Sequence, residues 1–242
     1  MKTVLKFSVA LLLALALVSS GTPVNAMGDN PQPGSTDQPV LLVHGFADAH
    51  WTPWWDLQEN YLEDVGYTDG QIYVMNLGDI PLTTVGGVEG YAEKVCSKLE
   101  DVSVNHGGKQ VDVIAHSMGG LDTRWCAEKQ KGQYYLDDLI TVATPHQGTV
   151  VALLGTITPA GRDMVPGSSF LNELNTGALS DAVEYTAVWG TLDEAVTPNE
   201  NAKLPEHMTW STETRNIKAG PYGHLTLITL RDVFNQYVPY LD

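Results

Sequence analysis

Apolar runs and amphipathic stretches alternate along most of this chain. "PVLLVHG" (Pro39 to Gly45) and "QIYVMNL" (Gln71 to Leu77) are continuous apolar runs of strand length. Strands buried on both faces read this way, whereas strands with one wet face alternate. "VEGYAEKVCSKLEDV" (Val88 to Val102) repeats apolar residues at helical spacing, through Tyr91, Val95, Leu99 and Val102. "QVDVIAH" (Gln110 to His116) predicts another strand, with a helix from Met118 to Lys129 directly behind it. "LDDLITVATP" (Leu136 to Pro145) predicts a strand stopped by proline, and an irregular Gly/Pro-rich stretch follows from Thr149 to Ser180. "AVEYTAVWG" (Ala182 to Gly190) and the weaker "TRNIKAG" (Thr214 to Gly220) predict two further strands. "HLTLITLRDVFNQYV" (His224 to Val238) predicts one closing helix, with Leu227, Leu230, Val233 or Phe234, and Tyr237 on one side.

Strands that alternate with helices imply an α/β fold: a mainly parallel sheet with helices on both faces. Ligand sites in such sheets lie in loops at the carboxyl ends of the strands. Those loops hold His44-Gly45-Phe46, Ser117, Pro145-His146, Asp193 and His224. No repeat or linker divides the region from Gln38 onward, so residues 38–242 are expected to form a single domain. The beginning of the chain differs. "MKTVLK" carries two lysines, "FSVALLLALALV" is an apolar core, and "SSGTPVNA" ends in small residues at Val24-Asn25-Ala26. That is the layout of a secretory signal peptide over residues 1–26, followed by a flexible leader over 27–37. The apolar run is shorter than the roughly 20 residues of a spanning helix, so stable membrane insertion is not expected. The expected location is extracellular.

Composition narrows the partners. The 242 residues are 43% hydrophobic, as in a globular protein with a sizeable core. Thirteen Lys and Arg stand against 29 Asp and Glu, a formal net charge of -16. Such a surface repels nucleic acid and anionic membranes, which excludes polyanionic partners. Cys96 and Cys126 fall on two predicted helices that the architecture sets side by side. Export permits a disulfide there, two buried thiols being the other reading, and the spacing fits no metal site.

The chemistry centres on "VDVIAHSMGG" (Val111 to Gly120). A serine hydroxyl is a poor nucleophile unless a base, a group orienting that base and donors for an oxyanion surround it. A sharp strand–Ser–helix turn lifts the hydroxyl from the sheet and aims the next backbone N–H at the reacting carbonyl. The turn is crowded, so the positions two before and two after the serine must be small. Ala115 and Gly119 satisfy this around Ser117. A serine that merely caps a helix is the plainer reading, and the rest of the chain argues against it. His224 follows the last strand and is the candidate base. The other histidines read differently: His44 as a strand-end residue with a structural hydrogen bond, His146 as a loop support, His207 as exposed, His50 and His106 as loop residues, and His116 with its side chain directed away from the elbow tip. Asp193, in "GTLDEAVTP", is the candidate orienting acid, with Glu194 as its rival. The order Ser117, Asp193, His224 is that of the strand–Ser–helix hydrolases. The backbone N–H groups of Phe46 and Met118 are the candidate oxyanion donors.

Six segments carry a family resemblance: "PVLLVHGF", "VDVIAHSMGG", "ATPHQGT", "MVPGSSFLNELN", "GTLDEAVTP" and "GHLTL". In that order the chain resembles the small secreted bacterial lipases and esterases of the α/β-hydrolase superfamily, in the branch with Ala-x-Ser-x-Gly at the elbow. The resemblance implies an α/β-hydrolase fold with a minimal lid or none, and hydrolysis of carboxylic esters such as triacylglycerols. It implies Ser117, Asp193 and His224 as a triad working through an acyl-enzyme, Phe46 and Met118 as oxyanion hole, and no metal or cofactor in the chemistry. Some relatives carry structural calcium, and no site in this sequence matches theirs well enough to assign one. The expected partner is an ester or lipid substrate, with a lipid–water interface as a further one, and a monomer is expected. Polyester hydrolase, phospholipase and acyltransferase remain alternatives on the same fold, and a binding protein that lost the chemistry is a distant one. Two features bear on substrate. The aromatics of "HWTPWW" (Trp51, Trp54, Trp55) either line an acyl groove or pack a helix on the sheet, and "TVVALLGTITPAG" (Thr149 to Gly161) is either a short flap or a buried helix.

Overall fold

The structure, a computed structural model, describes residues 37–78, 84–209 and 214–241. The expected signal peptide and nearly all of the expected leader lie outside the described residues. Six strands form one sheet in the order β2-β1-β3-β4-β5-β6, and every neighbouring pair is parallel. The strands are β1 (Val40–Val43), β2 (Ile72–Val74), β3 (Val111–His116), β4 (Leu136–Val142), β5 (Glu184–Gly190) and β6 (Thr214–Gly220). The longer helices are α1 (Pro53–Asp64), α2 (Val88–Asn105) and α3 (Met118–Lys129). Four short ones follow: α4 (Pro159–Asp163), α5 (Ser169–Leu174), α6 (His224–Thr229) and α7 (Arg231–Tyr237). No helix among the described residues is long and apolar enough to cross a membrane.

The apolar runs read as two-faced strands because both faces are covered. Leu41 and Val43 of β1 point into one core with Val113 and Ala115 of β3, under α2, α3 and α5. Val40 and Leu42 point into a second core with Ile114, under α1, α6 and α7. In α2, Val95, Leu99 and Val102 are buried, as the spacing predicts, and Tyr91 packs against them half-buried. Cys96 of α2 and Cys126 of α3 are joined by a disulfide. With a separation of 30 residues, cross-linking stabilises by roughly 3–4 kcal/mol on chain-entropy grounds. The bridge clips the long helix to the one that begins behind Ser117.

Three features depart from the sequence reading. Strand β4 ends at Val142, three residues before the proline, because Ala143 turns the chain with a φ of 55°. The stretch from Thr149 to Ser180 is not irregular throughout: it holds a 3-10 helix at Val150–Gly155 and then α4 and α5, with Thr158 and Ser168 capping the latter two. The single closing helix is broken at Leu230, whose ψ of 128° is extended. The cause lies on α1. Gln58 Nε2 donates to the Ile228 carbonyl (2.5 Å) and Tyr61 Oη to the Thr229 carbonyl (2.9 Å). Side chains thus satisfy carbonyls that the next turn would otherwise take.

Candidate active site

At the carboxyl end of β3 the chain turns within one residue. Ser117 has φ 56° and ψ -128°, a conformation rare for a residue with a side chain. Holding it costs on the order of 1–3 kcal/mol, which the packed strand and helix must supply. Close backbone approach fixes the neighbours. A Cβ on Gly119 would lie 2.6 Å from the His44 carbonyl oxygen and 2.7 Å from that of Val43. A Cβ on Gly45 would lie 2.8 Å from Ser117 Cβ and 3.1 Å from Met118 N. The loop after β1 is therefore pressed onto the elbow. Ala115, fully buried, keeps its methyl in the core beneath.

The same loop carries Phe46. Among the described residues, neither the Phe46 N–H nor the Met118 N–H has a hydrogen-bond partner, while the following Ala47 N–H donates to Thr84 O (3.0 Å). The Met118 side chain is wholly buried, so its backbone N–H is the one group it can offer. Asp48 braces the loop. Its carboxylate accepts from Ala49 N–H (2.7 Å), Thr52 Oγ1 (2.9 Å), Trp54 Nε1 (3.0 Å) and Trp55 Nε1 (3.3 Å). This resolves the aromatic cluster: Trp55 is core and Trp54 half-buried, both fastened to Asp48, while Trp51 is 56% exposed. His44 sits deeper. Leu77 N–H donates to its Nε2 (3.1 Å), which leaves Nδ1–H for the Gly45 carbonyl (3.3 Å). Burial pushes its pKa down and keeps it neutral.

His224 opens α6, and its Nδ1–H donates to both carboxylate oxygens of Asp193, each at 3.0 Å. Asp193 is 3% exposed and also accepts from Ala195 N–H and Val196 N–H, both 2.9 Å. Three donors hold it in place, and the hydrogen bonding assigns the imidazole its Nδ1–H form. Glu194, weighed above as a rival for Asp193, acts on a different atom. Its Oε2 accepts the backbone N–H of His224 (3.1 Å). A Cβ on Gly223 would approach that oxygen to 2.8 Å, so a larger residue there would push the Glu194 carboxylate from its present place.

His116 contradicts the expectation that it points away. Its ring lies against that of His224, centroids 4.7 Å apart, and its Nε2 is 3.3 Å from the His224 carbonyl oxygen. Burial first, then the neighbouring His224, lowers its pKa well below the usual imidazole value. His146 supports its loop from within. Arg124 Nη1 donates to its Nδ1 (3.3 Å), Thr141 Oγ1 lies 2.9 Å from its Nε2, and Asn175 Nδ2 donates to its carbonyl (2.8 Å). His207 is exposed, as expected.

Ser117, His224 and Phe46 line one cavity of about 400 Å³. Its walls are otherwise largely apolar: Pro145, Val151, Ala152, Leu154, Met164 and Val196 contribute. Thr149 to Gly161 is neither a plain flap nor a buried helix. It is a wall, with Val151, Ala152 and Leu154 lining the cavity and Leu153 and Ile157 turned to solvent, 57% and 90% exposed. Among the described residues no three His, Cys, Asp or Glu side chains are placed to hold a metal ion. Each expected site residue thus reaches the end of the sheet where β1, β3, β5 and β6 release their loops. No hydrogen bond joins Ser117 to His224 among the described residues, although both face the cavity.

A parallel sheet of this order, with a strained serine between β3 and α3 and an Asp–His pair after β5 and β6, is an α/β-hydrolase fold. The chain belongs to the class 2 lipase family, whose model matches residues 37–230. It is 27% identical over 204 residues to a triacylglycerol lipase of Burkholderia plantarii, 79% of this chain and 54% of the relative. A triacylglycerol lipase of Pseudarthrobacter phenanthrenivorans is 28% identical over 183 residues, 71% of this chain and 55% of the relative. This chain therefore spans about half the length of those relatives. Among solved structures, Bacillus licheniformis lipase BlEst2 in mature form superposes with TM-score 0.64 at 18% identity, over 90% of this chain and 95% of that one. Aspergillus fumigatus lipase B gives TM-score 0.67 at 22% identity, over 86% of this chain and 52% of that one.

Proposed function

We propose that this protein is a secreted serine hydrolase of carboxylic esters, of the triacylglycerol lipase and esterase kind. The observation that carries the reading is the junction of a strained Ser117 and an Asp193-bound His224 on one apolar cavity. Family membership and the triacylglycerol lipase relatives support the ester class. His224 Nε2 takes the Ser117 proton as Oγ attacks the ester carbonyl. The charge that develops on oxygen is met by the N–H groups of Phe46 and Met118. Collapse expels the alcohol with the proton from His224, and water repeats the sequence on the acyl-enzyme. Asp193 stays ionised and holds the imidazole in the Nδ1–H form throughout. Each proton and charge is handled by these five groups, and no step needs a metal or cofactor.

The largely apolar cavity walls favour an acyl chain. The exposed aliphatics beside it favour substrate gathered at a lipid–water interface, and the net charge of -16 favours a neutral surface over an anionic one. The disulfide supports export, since such bonds persist in oxidising compartments. Ser117→Ala is expected to abolish p-nitrophenyl ester turnover, with an unchanged circular dichroism spectrum. Turnover near wild type in that variant would refute the assignment.

A further inference from the structure

A hydrogen bond from Nδ1 to Asp193 fixes one atom of the His224 ring, but the imidazole can still swing about that contact. The remaining restraint comes from elsewhere. The main chain of His224 is gripped at its N–H by Glu194 Oε2 (3.1 Å) and approached at its carbonyl by His116 Nε2 (3.3 Å). The His116 ring also lies beside the His224 ring at 4.7 Å, tilted by 49°. His116 is itself enclosed in the sheet: it ends β3, pairs in register with Val142 of β4, and is 3% exposed. It is also the covalent neighbour of Ser117, whose unusual φ and ψ set the hydroxyl relative to that backbone.

We propose that His116 is a positioning residue for the ester hydrolysis described above: its ring packs beside His224 and sets the imidazole plane relative to Ser117. The inference rests on the Ser117–His224 reading. Nucleophile and base arrive on elements more than a hundred residues apart in sequence, and His116 references one directly to the other. The neutral state of His116 suits the task. Once His224 takes the serine proton it is a cation, and a second imidazolium against it would oppose that step. A buried neutral ring supplies shape without charge. An Nε2–H on His116 would donate to the His224 carbonyl, leaving the ring plane set by packing.

Two variants separate the ring from its polar atoms. His116→Gln keeps an N–H donor but has no ring, and His116→Phe keeps a ring without the donor. Active sites are first counted in each preparation with a fluorophosphonate probe, so that misfolded protein drops out of the rate. His116→Gln is expected to lose about tenfold in kcat per titrated site with KM within about twofold, since small misplacements of a reacting group cost rate rather than binding. His116→Phe is expected to stay within about threefold of wild type. A per-site kcat within twofold of wild type in His116→Gln, or an equal loss in both variants, overturns the proposal. So does a defect confined to the number of titratable sites, which would make His116 purely structural. Failure of the underlying reading looks different: Ser117→Ala would then remain active.

Discussion

The helix behind the nucleophile and the segment that walls the cavity are both rich in residues the sequence marks as apolar or small, and they end in opposite environments. In α3, ten of twelve residues are buried, Asp122, Thr123 and Arg124 among them. Between Val150 and Ile157, five large aliphatics are exposed: Val150, Val151, Leu153, Leu154 and Ile157. The elbow forces the first outcome. A serine held at φ 56° needs the helix, the loop after β1 and β4 pressed around it, so even polar side chains of α3 are enclosed. The second outcome has no such cause among the described residues. Aliphatic surface left in water gains nothing for stability, so its use lies in what it touches.

The comparison is broken most severely at Gly119. Gly119→Ala would drive a methyl into two carbonyl oxygens at 2.6 and 2.7 Å, both on backbone that cannot swing aside. We expect a loss of about 3 kcal/mol, the upper range for overpacking, and near-complete loss of ester turnover. Gly90 is the control. A Cβ there meets nothing within 4 Å on the exposed side of α2, so Gly90→Ala is expected to stabilise by roughly 0.5–1 kcal/mol. Thermal unfolding of both variants reads the pair, and similar midpoints would show that the elbow is not tightly packed.

That contrast also shows what the sequence could reveal. The limits of α3 and β6 agree with the expected ones, and the turn at Ser117 is legible because its signals are local: a small residue on each side, a strand before, a helix after. The limits of helix α1 escaped the apolar spacing, since its buried residues are only Trp55, Gln58 and Leu62. The break at Leu230 was illegible because its cause, Gln58 and Tyr61, lies about 170 residues away in sequence. Asp193 and Glu194 are adjacent in sequence, and no local pattern shows that one meets the His224 ring and the other its backbone N–H. The placement of His116 depends on how β3 and α6 meet, which no local pattern encodes.

Asp122 sharpens the comparison at the next level of effect. It lies wholly inside α3, and neither carboxylate oxygen has a hydrogen-bond partner among the described residues. Burial, and then the charge of Asp163, raises its pKa well above the ordinary value. The folded state therefore holds a proton that the unfolded chain releases. Stability is highest below the ordinary carboxylate pKa and falls as pH rises from there toward the folded pKa. Asp122→Asn removes this dependence. The variant should exceed wild type on the order of 1–3 kcal/mol at neutral pH, with the gap closing as pH falls toward 4. Denaturant unfolding at several pH values tests it, and a gap that is constant with pH would show that ionisation of Asp122 plays no part.

The smallest expected effect on stability falls on the rim, and there it coincides with a selective effect on activity. Leu153 and Ile157 are 57% and 90% exposed and do not line the cavity. Replacing both with serine removes no buried contact, so stability should stay within about 0.5 kcal/mol per site. Turnover of a dissolved short-chain p-nitrophenyl ester should be unchanged, because the cavity and the groups around Ser117 are untouched. Hydrolysis of emulsified triglyceride is expected to fall severalfold if the proposed contact with a lipid surface runs through these two exposed aliphatics. A matched loss on both substrates would mean that the segment shapes the cavity itself. No loss on either would mean that lipid is met elsewhere on the molecule. Only loss on the emulsion alone makes the rim the counterpart of α3: apolar residues left outside the fold because the substrate supplies the surface that buries them.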